Sequence, residues 1–190
     1  MNKSLIIIFH GPPASGKTLL SRRLAHDLNL PLFSKDDLKE ALFDALPNSA
    51  PNWTAQLGAA CFQALFRQLE TQLRAGVPAM ITETAFWAEQ STAHFLDLKS
   101  RYRLEFLQFY CIAATDVLYQ REQARRAQGE RHACHTSAPA LSAEEFKALV
   151  EGPRYARLPL ESKVIDIDTN DLAHVDYMHL MRAAAFAVNR

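Results

Sequence analysis

The sequence predicts an α/β fold built on a mainly parallel sheet, and three observations carry that expectation. Short apolar runs alternate with longer segments of helical period along the whole chain. The first run leads directly into the turn Gly11 to Gly16 and then into an amphipathic helix. The chain has 190 residues, 48% of them apolar and 22% charged, which suits one compact domain with a sizeable core rather than a disordered chain. No internal repeat, low-complexity tract or long charge block divides it, so residues 1–190 are expected to form a single domain.

Five runs are expected as strands: Leu5 to His10, Pro31 to Ser34, Pro78 to Thr82, Leu104 to Cys111 and Lys163 to Ile167. The first, third and fifth read as buried on both faces. The helix after Gly16 carries Leu20, Leu24 and Leu28 four apart on one face. A second helix is expected from Asp37 to Leu46. A third runs from about Asn52 to Ala75, with Leu57, Cys61, Leu65, Leu69 and Leu73 as its apolar stripe, and Gly76-Val77-Pro78 ends it. Further helices are expected at Glu89 to Ser100, Thr115 to Ala127, Ser142 to Val150 and Leu172 to Val188. Ser142-Ala143-Glu144-Glu145 reads as a capping box. The stretch Gln128 to Leu141 holds Gly129 and Pro139, lacks apolar period, and reads as a mobile excursion.

Charge and cysteine usage narrow the function classes. Twenty-one Lys and Arg balance twenty-one Asp and Glu, so no whole-chain field attracts nucleic acid or an anionic membrane, and any polyanion must be bound locally. Cys61, Cys111 and Cys134 are odd in number and widely spaced, which is no disulfide framework and points to a reducing cytoplasm. Only Leu5 to Phe9 precede Gly11 as an apolar run, too few for a signal peptide or a membrane span. A small-molecule partner, no membrane, no nucleic acid, and a monomer or homodimer are the expectations.

Gly11-Pro12-Pro13-Ala14-Ser15-Gly16-Lys17-Thr18 satisfies G-x-x-x-x-G-K-[ST] at every specified position, between a strand and a helix as the motif requires. Gly11 and Gly16 permit a tight loop whose amide groups converge on phosphate oxygens, with the helix N-terminus adding its field. Lys17 would reach the β- and γ-phosphates, and the Thr18 hydroxyl would ligate Mg²⁺. The bare alternative is a Gly-Pro turn with a surface lysine.

With that loop, Lys35-Asp36-Asp37-Leu38-Lys39, Thr82-Glu83-Thr84 and Arg121 to His135, the chain resembles the P-loop kinases of the adenylate-kinase-like group. It is closest to the branch of polynucleotide 5'-hydroxyl kinase, chloramphenicol phosphotransferase and zeta-toxin kinases, with an AAA-type ATP-binding domain. The resemblance implies a P-loop NTPase three-layer sandwich: a five-stranded parallel sheet in the order 2-3-1-4-5, with a small lid at about residues 126–142. It implies ATP and Mg²⁺ as cofactors. Asp36 matches the first Asp of the branch's Asp-Asp-x-x-Arg pattern, where a carboxylate accepts the proton of an attacking hydroxyl. Lys39 stands in place of the Arg and supplies a point charge rather than a planar fork, which disfavours a nucleic-acid 5'-end as acceptor. The bland alternative for Asp36 and Asp37 is an N-cap with a first-turn acid.

Glu83 matches the family's acidic position and suits Mg²⁺ coordination through water, with Ala85 where the family has Asn. Arg121 and Arg125, four apart on one helix face, could neutralise charge on the transferred phosphoryl group. Arg131-His132 and His135 complete the family pattern and suit lid contacts to the nucleotide or acceptor. Arg126 reads as a solvated face, Cys61 and Cys111 read as core, and His10, His174 and His179 are assigned no chemistry. The function expected is an ATP-dependent kinase acting on a hydroxyl of a small-molecule or nucleotide-like acceptor; a nucleotide-binding ATPase or switch and a nucleic-acid 5'-hydroxyl kinase are the alternatives.

Overall fold

The computed structural model describes residues 3–46, 52–136 and 139–189. Strand β1 (Ser4–His10) lies at the centre of a five-stranded sheet, flanked by β3 (Ala79–Glu83) and β4 (Leu104–Ile112), with β2 (Leu32–Ser34) and β5 (Lys163–Asp168) at the edges. The order is β2-β3-β1-β4-β5 and every pairing is parallel, as expected. All seven residues of β1 are buried because both faces of the central strand are covered. Leu5, Ile7 and Phe9 pack with Leu20 and Leu24 of α1 (Lys17–Leu28) and with Leu180 and Ala184 of α8 (Tyr177–Val188). Ile6 and Ile8 pack with Leu65 and Leu69 of α3 (Trp53–Arg74) and with Phe95 and Leu98 of α4 (Ala88–Arg101). The result is a sandwich of helices, sheet and helices.

Three expectations are corrected. Strand β5 is buried on one face only: Ile165 and Ile167 enter the core, while Asp166 and Asp168 on the other face are exposed, because no layer covers that face of the edge strand. Helix α8 starts at Tyr177, not Leu172, where the Asp176 side chain accepts from the His179 N–H at 2.9 Å. The excursion Gln128–Leu141 contains a short helix α6 (Ala133–Thr136), although residues 137 and 138 lie outside the described residues. Polar pairs hold it, so no apolar period announces it. It docks on α2 (Lys35–Ala45), where Lys39 Nζ donates to the Cys134 carbonyl at 3.0 Å, His135 meets Glu40 at 3.1 Å, and His132 meets Asp44 at 3.1 Å. Beyond it, α5 (Thr115–Ala127) and α7 (Ala143–Glu151) pack together through Tyr119 and Phe146, and α7 carries the capping box at Ser142. No helix among the described residues is long and apolar enough to cross a membrane.

Candidate active site

The C-terminal ends of β1, β2 and β3 converge, as the register Phe9↔Glu83 and Ser34↔Glu83 requires, and the loop Gly11–Gly16 sits at that edge. Gly11 has φ 137°, and a Cβ there would lie 2.3 Å from the Cys111 carbonyl oxygen, so only glycine lets the loop cross β4. Gly16 (φ 77°) precedes α1, and a Cβ there would lie 2.5 Å from the Leu172 side chain. No side chain caps α1 and no acid stands in its first turn, in contrast to α2 and α7. Its first-turn amides are thus left for an anion.

Lys17 is buried and folds back over the loop, its Nζ donating to the Pro12 carbonyl at 2.8 Å. Burial holds its pKa below the ordinary lysine range, against the charge of Glu83. Thr18 Oγ1 donates to Glu83 Oε2 at 3.3 Å, and Ser34 Oγ donates to Glu83 Oε1 at 2.6 Å. Glu83 is 1% exposed; burial pushes its carboxyl above the usual range, while Ser34 and Lys17 favour the ionised form. Thr18 and Glu83 are hard oxygen donors side by side at the loop, a set that fits Mg²⁺, the glutamate acting through water. The Ser15 and Thr84 hydroxyls at the same edge are buried and have no hydrogen-bond partner among the described residues.

Asp36 lies in the first turn of α2, with Lys35 Nζ 3.0 Å from Oδ1. Its side chain is 40% exposed, yet it sits in a crevice crowded by charge. Burial acts to raise its carboxyl, and Lys35, His135 and Lys17 outweigh that effect, so it rests below the ordinary aspartate value. Neither Asp36 nor Asp37 caps α2. The cap is Ser34, whose Oγ accepts from the Asp37 N–H at 3.2 Å, and Asp37 pairs with Arg22 at 2.6 Å. Ser34 therefore both starts α2 and orients Glu83. The pattern Ser34-Lys35-Asp36-Asp37, S-x-x-D ahead of a helix, was the available signal for it.

The arginines are arranged differently from the expectation. Arg121 donates to the carbonyls of Thr169 (2.7 Å) and Asn170 (3.0 Å) beyond β5, whereas Arg125 is exposed. Arg126 is no solvated face: it pairs with Glu122 at 3.0 Å, and Arg131 meets the other oxygen of that carboxylate at 2.6 Å. Glu122 was missed in the sequence because a single glutamate in an arginine-rich helix reads as surface. Cys61, Cys111 and Cys134 are free and buried. Two surface cavities, of about 410 Å³ and 210 Å³, have no lining from the loop. The first is ringed by Asp166, Asp168, Asp171 and Asp176 with His174 and His179, the wrong sign for a polyphosphate.

A parallel sheet in this order, with the complete loop at the head of α1 and an acidic strand end beside it, defines a nucleotide-binding P-loop protein of kinase-like fold. The chain belongs to the AAA domain family, whose model matches residues 6–153. It is similar to a solved protein from Chloroflexus aurantiacus described as a "putative kinase", with 30% identity, 100% of this chain and 98% of that one covered, and a TM-score of 0.85. It shares its fold with a gluconokinase from Sinorhizobium meliloti (14% identity, 98% and 99% covered, TM-score 0.53). The same holds for the Mycobacterium tuberculosis APS kinase CysC, solved with AMPPNP and APS (12% identity, 100% and 100% covered, TM-score 0.59). No curated protein matches the chain.

Proposed function

We propose that the protein is an ATP-dependent kinase that moves the γ-phosphoryl group to a hydroxyl of a small-molecule or nucleotide-like acceptor, in the branch of polynucleotide kinase, chloramphenicol phosphotransferase and zeta-toxin kinases. It would act in the cytoplasm, as a monomer or homodimer. The observation that carries this reading is the run of contacts from the loop to the acidic edge: Thr18 to Glu83, Glu83 to Ser34, Ser34 to the first turn of α2, where Asp36 stands. A switch protein shares the Mg²⁺-binding carboxylate but has no need of a second one, Asp36, placed to take an acceptor's proton.

The amides of Gly11–Gly16 and the start of α1 cradle the donor phosphates, and Lys17 leaves the Pro12 carbonyl for the β- and γ-oxygens. Mg²⁺ held by Thr18 and, through water, Glu83 would neutralise phosphate charge. Asp36 takes the acceptor's O–H proton as the acceptor oxygen bonds to the γ-phosphorus and the bond to the bridging oxygen breaks, releasing ADP. Arg121, Arg125 and Arg131 supply positive charge from α5 and the lid, and catalysis is mostly positioning and charge stabilisation.

Asp36→Asn is expected to keep ATP affinity while transfer falls by about 10²-fold or more, and Asp37→Asn to be milder. Lys17→Ala is expected to abolish donor binding by calorimetry with the fold intact. Full transfer in Asp36→Asn refutes the assigned base, and ADP release that no acceptor stimulates marks an ATPase instead.

A further inference from the structure

Over the whole chain charge is balanced, 21 cations against 21 acids, and most buried or half-buried cations have an acid at hand. Arg22 has Asp37, Lys99 has Glu161, Arg131 has Glu122 and Arg157 has Asp166. Around Asp36 this balance fails. Lys35, 22% exposed at its side chain, has among the described residues only the Asp36 carboxylate as ion-pair partner, the group assigned as the base. Lys39, one turn further along α2, forms no ion pair among the described residues; its Nζ rests on the Cys134 carbonyl, and its stem passes over Gly58 of α3, where a Cβ would come within 3.8 Å. Arg154 also forms no ion pair among the described residues and lies 4.4 Å from the centre of the Trp87 ring. Of the other carboxylates on α2, Asp37 pairs with Arg22, Glu40 with His135 and Asp44 with His132.

Lys35 follows the end of β2, and Trp87, with Arg154 over its ring, follows the end of β3; the two strands pair up to Ser34↔Glu83, so the three cations stand at one end of the sheet. The charges of Lys35 and Arg154 both bear on the phenol of the buried Tyr155, and those of Lys35 and Lys39 both bear on the Cys61 thiol of α3. Burial, and the repulsion of Lys35, hold Lys39 below the ordinary lysine value. Of the carboxylates at this end, Asp37 is paired with Arg22 and Glu83 is held by Ser34 and Thr18, which leaves Asp36 to face the three cations; gathering them there is costly without a further counter-ion. An occupant that brings negative charge removes that cost, and Trp87, 48% exposed, offers a flat apolar wall beside it.

We infer that the phosphoryl acceptor is itself an anion: a small hydroxylated molecule whose carboxylate or phosphate group sits among Lys35, Lys39 and Arg154, with its hydroxyl directed to Asp36. The inference rests on the kinase reading. Lysine is a point charge that accepts either kind of oxyanion, so the shared chemistry is the negative oxygen group.

The test uses the full chain saturated with AMPPNP and Mg²⁺, so that the donor loop is occupied, and titrates inorganic phosphate in one arm and malonate in another by calorimetry. Wild type is expected to bind at least one of them, and Lys35→Gln and Arg154→Gln, which keep most of each stem, each to weaken that binding by about tenfold. Lys99→Gln, in the last turn of α4 and paired with Glu161, is the control and should bind as wild type. The arm that responds distinguishes phosphate-bearing from carboxylate-bearing acceptors. Binding in neither arm, or binding indifferent to both substitutions, overturns the inference and leaves the kinase reading standing. Failure of AMPPNP itself to bind overturns the kinase reading, and this inference with it.

Discussion

At Glu122 two arginines meet one buried carboxylate: Arg126 on one oxygen, Arg131 on the other, with the side chain 8% exposed. Burial works against the charge of Arg131, and Glu122 sustains it. Glu122 thereby ties Arg131, beyond the end of α5, back to the helix. Removing one partner strands the other charges out of water, so Glu122→Gln is expected to destabilise the fold by about 3 kcal/mol or more. A urea melt monitored by far-UV circular dichroism reads this directly. A loss within the scatter of ordinary surface substitutions contradicts the assigned role. By contrast, the pairing of Arg22 with Asp37 joins two half-exposed side chains, 59% and 48%, and its removal should cost less than about 1 kcal/mol.

Among the elements, the loop and α1 depend on two glycines for different reasons. At Gly11 the obstacle to a side chain is backbone, the Cys111 carbonyl of β4, which cannot move without breaking the sheet. At Gly16 the obstacle is the far end of the Leu172 side chain together with φ 77°, a left-handed conformation that costs a non-glycine residue about 1–2 kcal/mol. Gly11→Ala is therefore expected to lower the melting temperature more than Gly16→Ala. Adding Leu172→Ala to Gly16→Ala should recover ATP affinity only in part, because the crowding is relieved and the backbone strain is not. Complete recovery by calorimetry would show that crowding alone matters. Helix α2 shows a similar economy, since Ser34 caps it and in the same position donates to Glu83.

For the whole molecule, the stability profile with pH should carry the mark of His10. This residue ends the central strand, is fully buried, and has neither ring nitrogen hydrogen-bonded among the described residues. Burial, and then the charge of Lys17, lower its pKa from 6.5 to about 3. The unfolded chain takes up this proton near the ordinary value and the folded chain only near the lowered one. Stability is thus complete above pH 6.5 and drains away as pH falls toward 3. The full effect is on the order of 4–5 kcal/mol. Thermal melts at neutral pH and at pH 5 should show wild type losing more than His10→Phe, which has no proton to take up; parallel losses would exclude His10 as the cause.

The strands, the loop and the helices that flank it were legible because each depends on local pattern: β-runs of uninterrupted apolar residues such as Ile6 to Phe9, a four-residue helical repeat such as Leu20 and Leu24, and a loop whose spacing is set by phosphate geometry. The order of the strands came only from the resemblance to P-loop kinases, since it joins residues far apart in the chain. The solvated outer face of β5 was not legible, since Lys163 to Ile167 carries the same apolar content whether the strand is central or at an edge. Neither was the distribution of the arginines. Arg121, Arg125, Arg126 and Arg131 are alike as letters, and only long-range partners separate them: the carbonyls of Thr169 and Asn170 take Arg121, and Glu122 takes Arg126 and Arg131. The same is true of the positive crevice, where Lys35 and Lys39 stand beside Asp36 in the chain while Arg154 and Trp87 come from distant segments. Periodicity and motif spacing report what a residue does within its own turn or strand; the sign of a site is a sum over charges that tertiary packing alone brings within reach of one another.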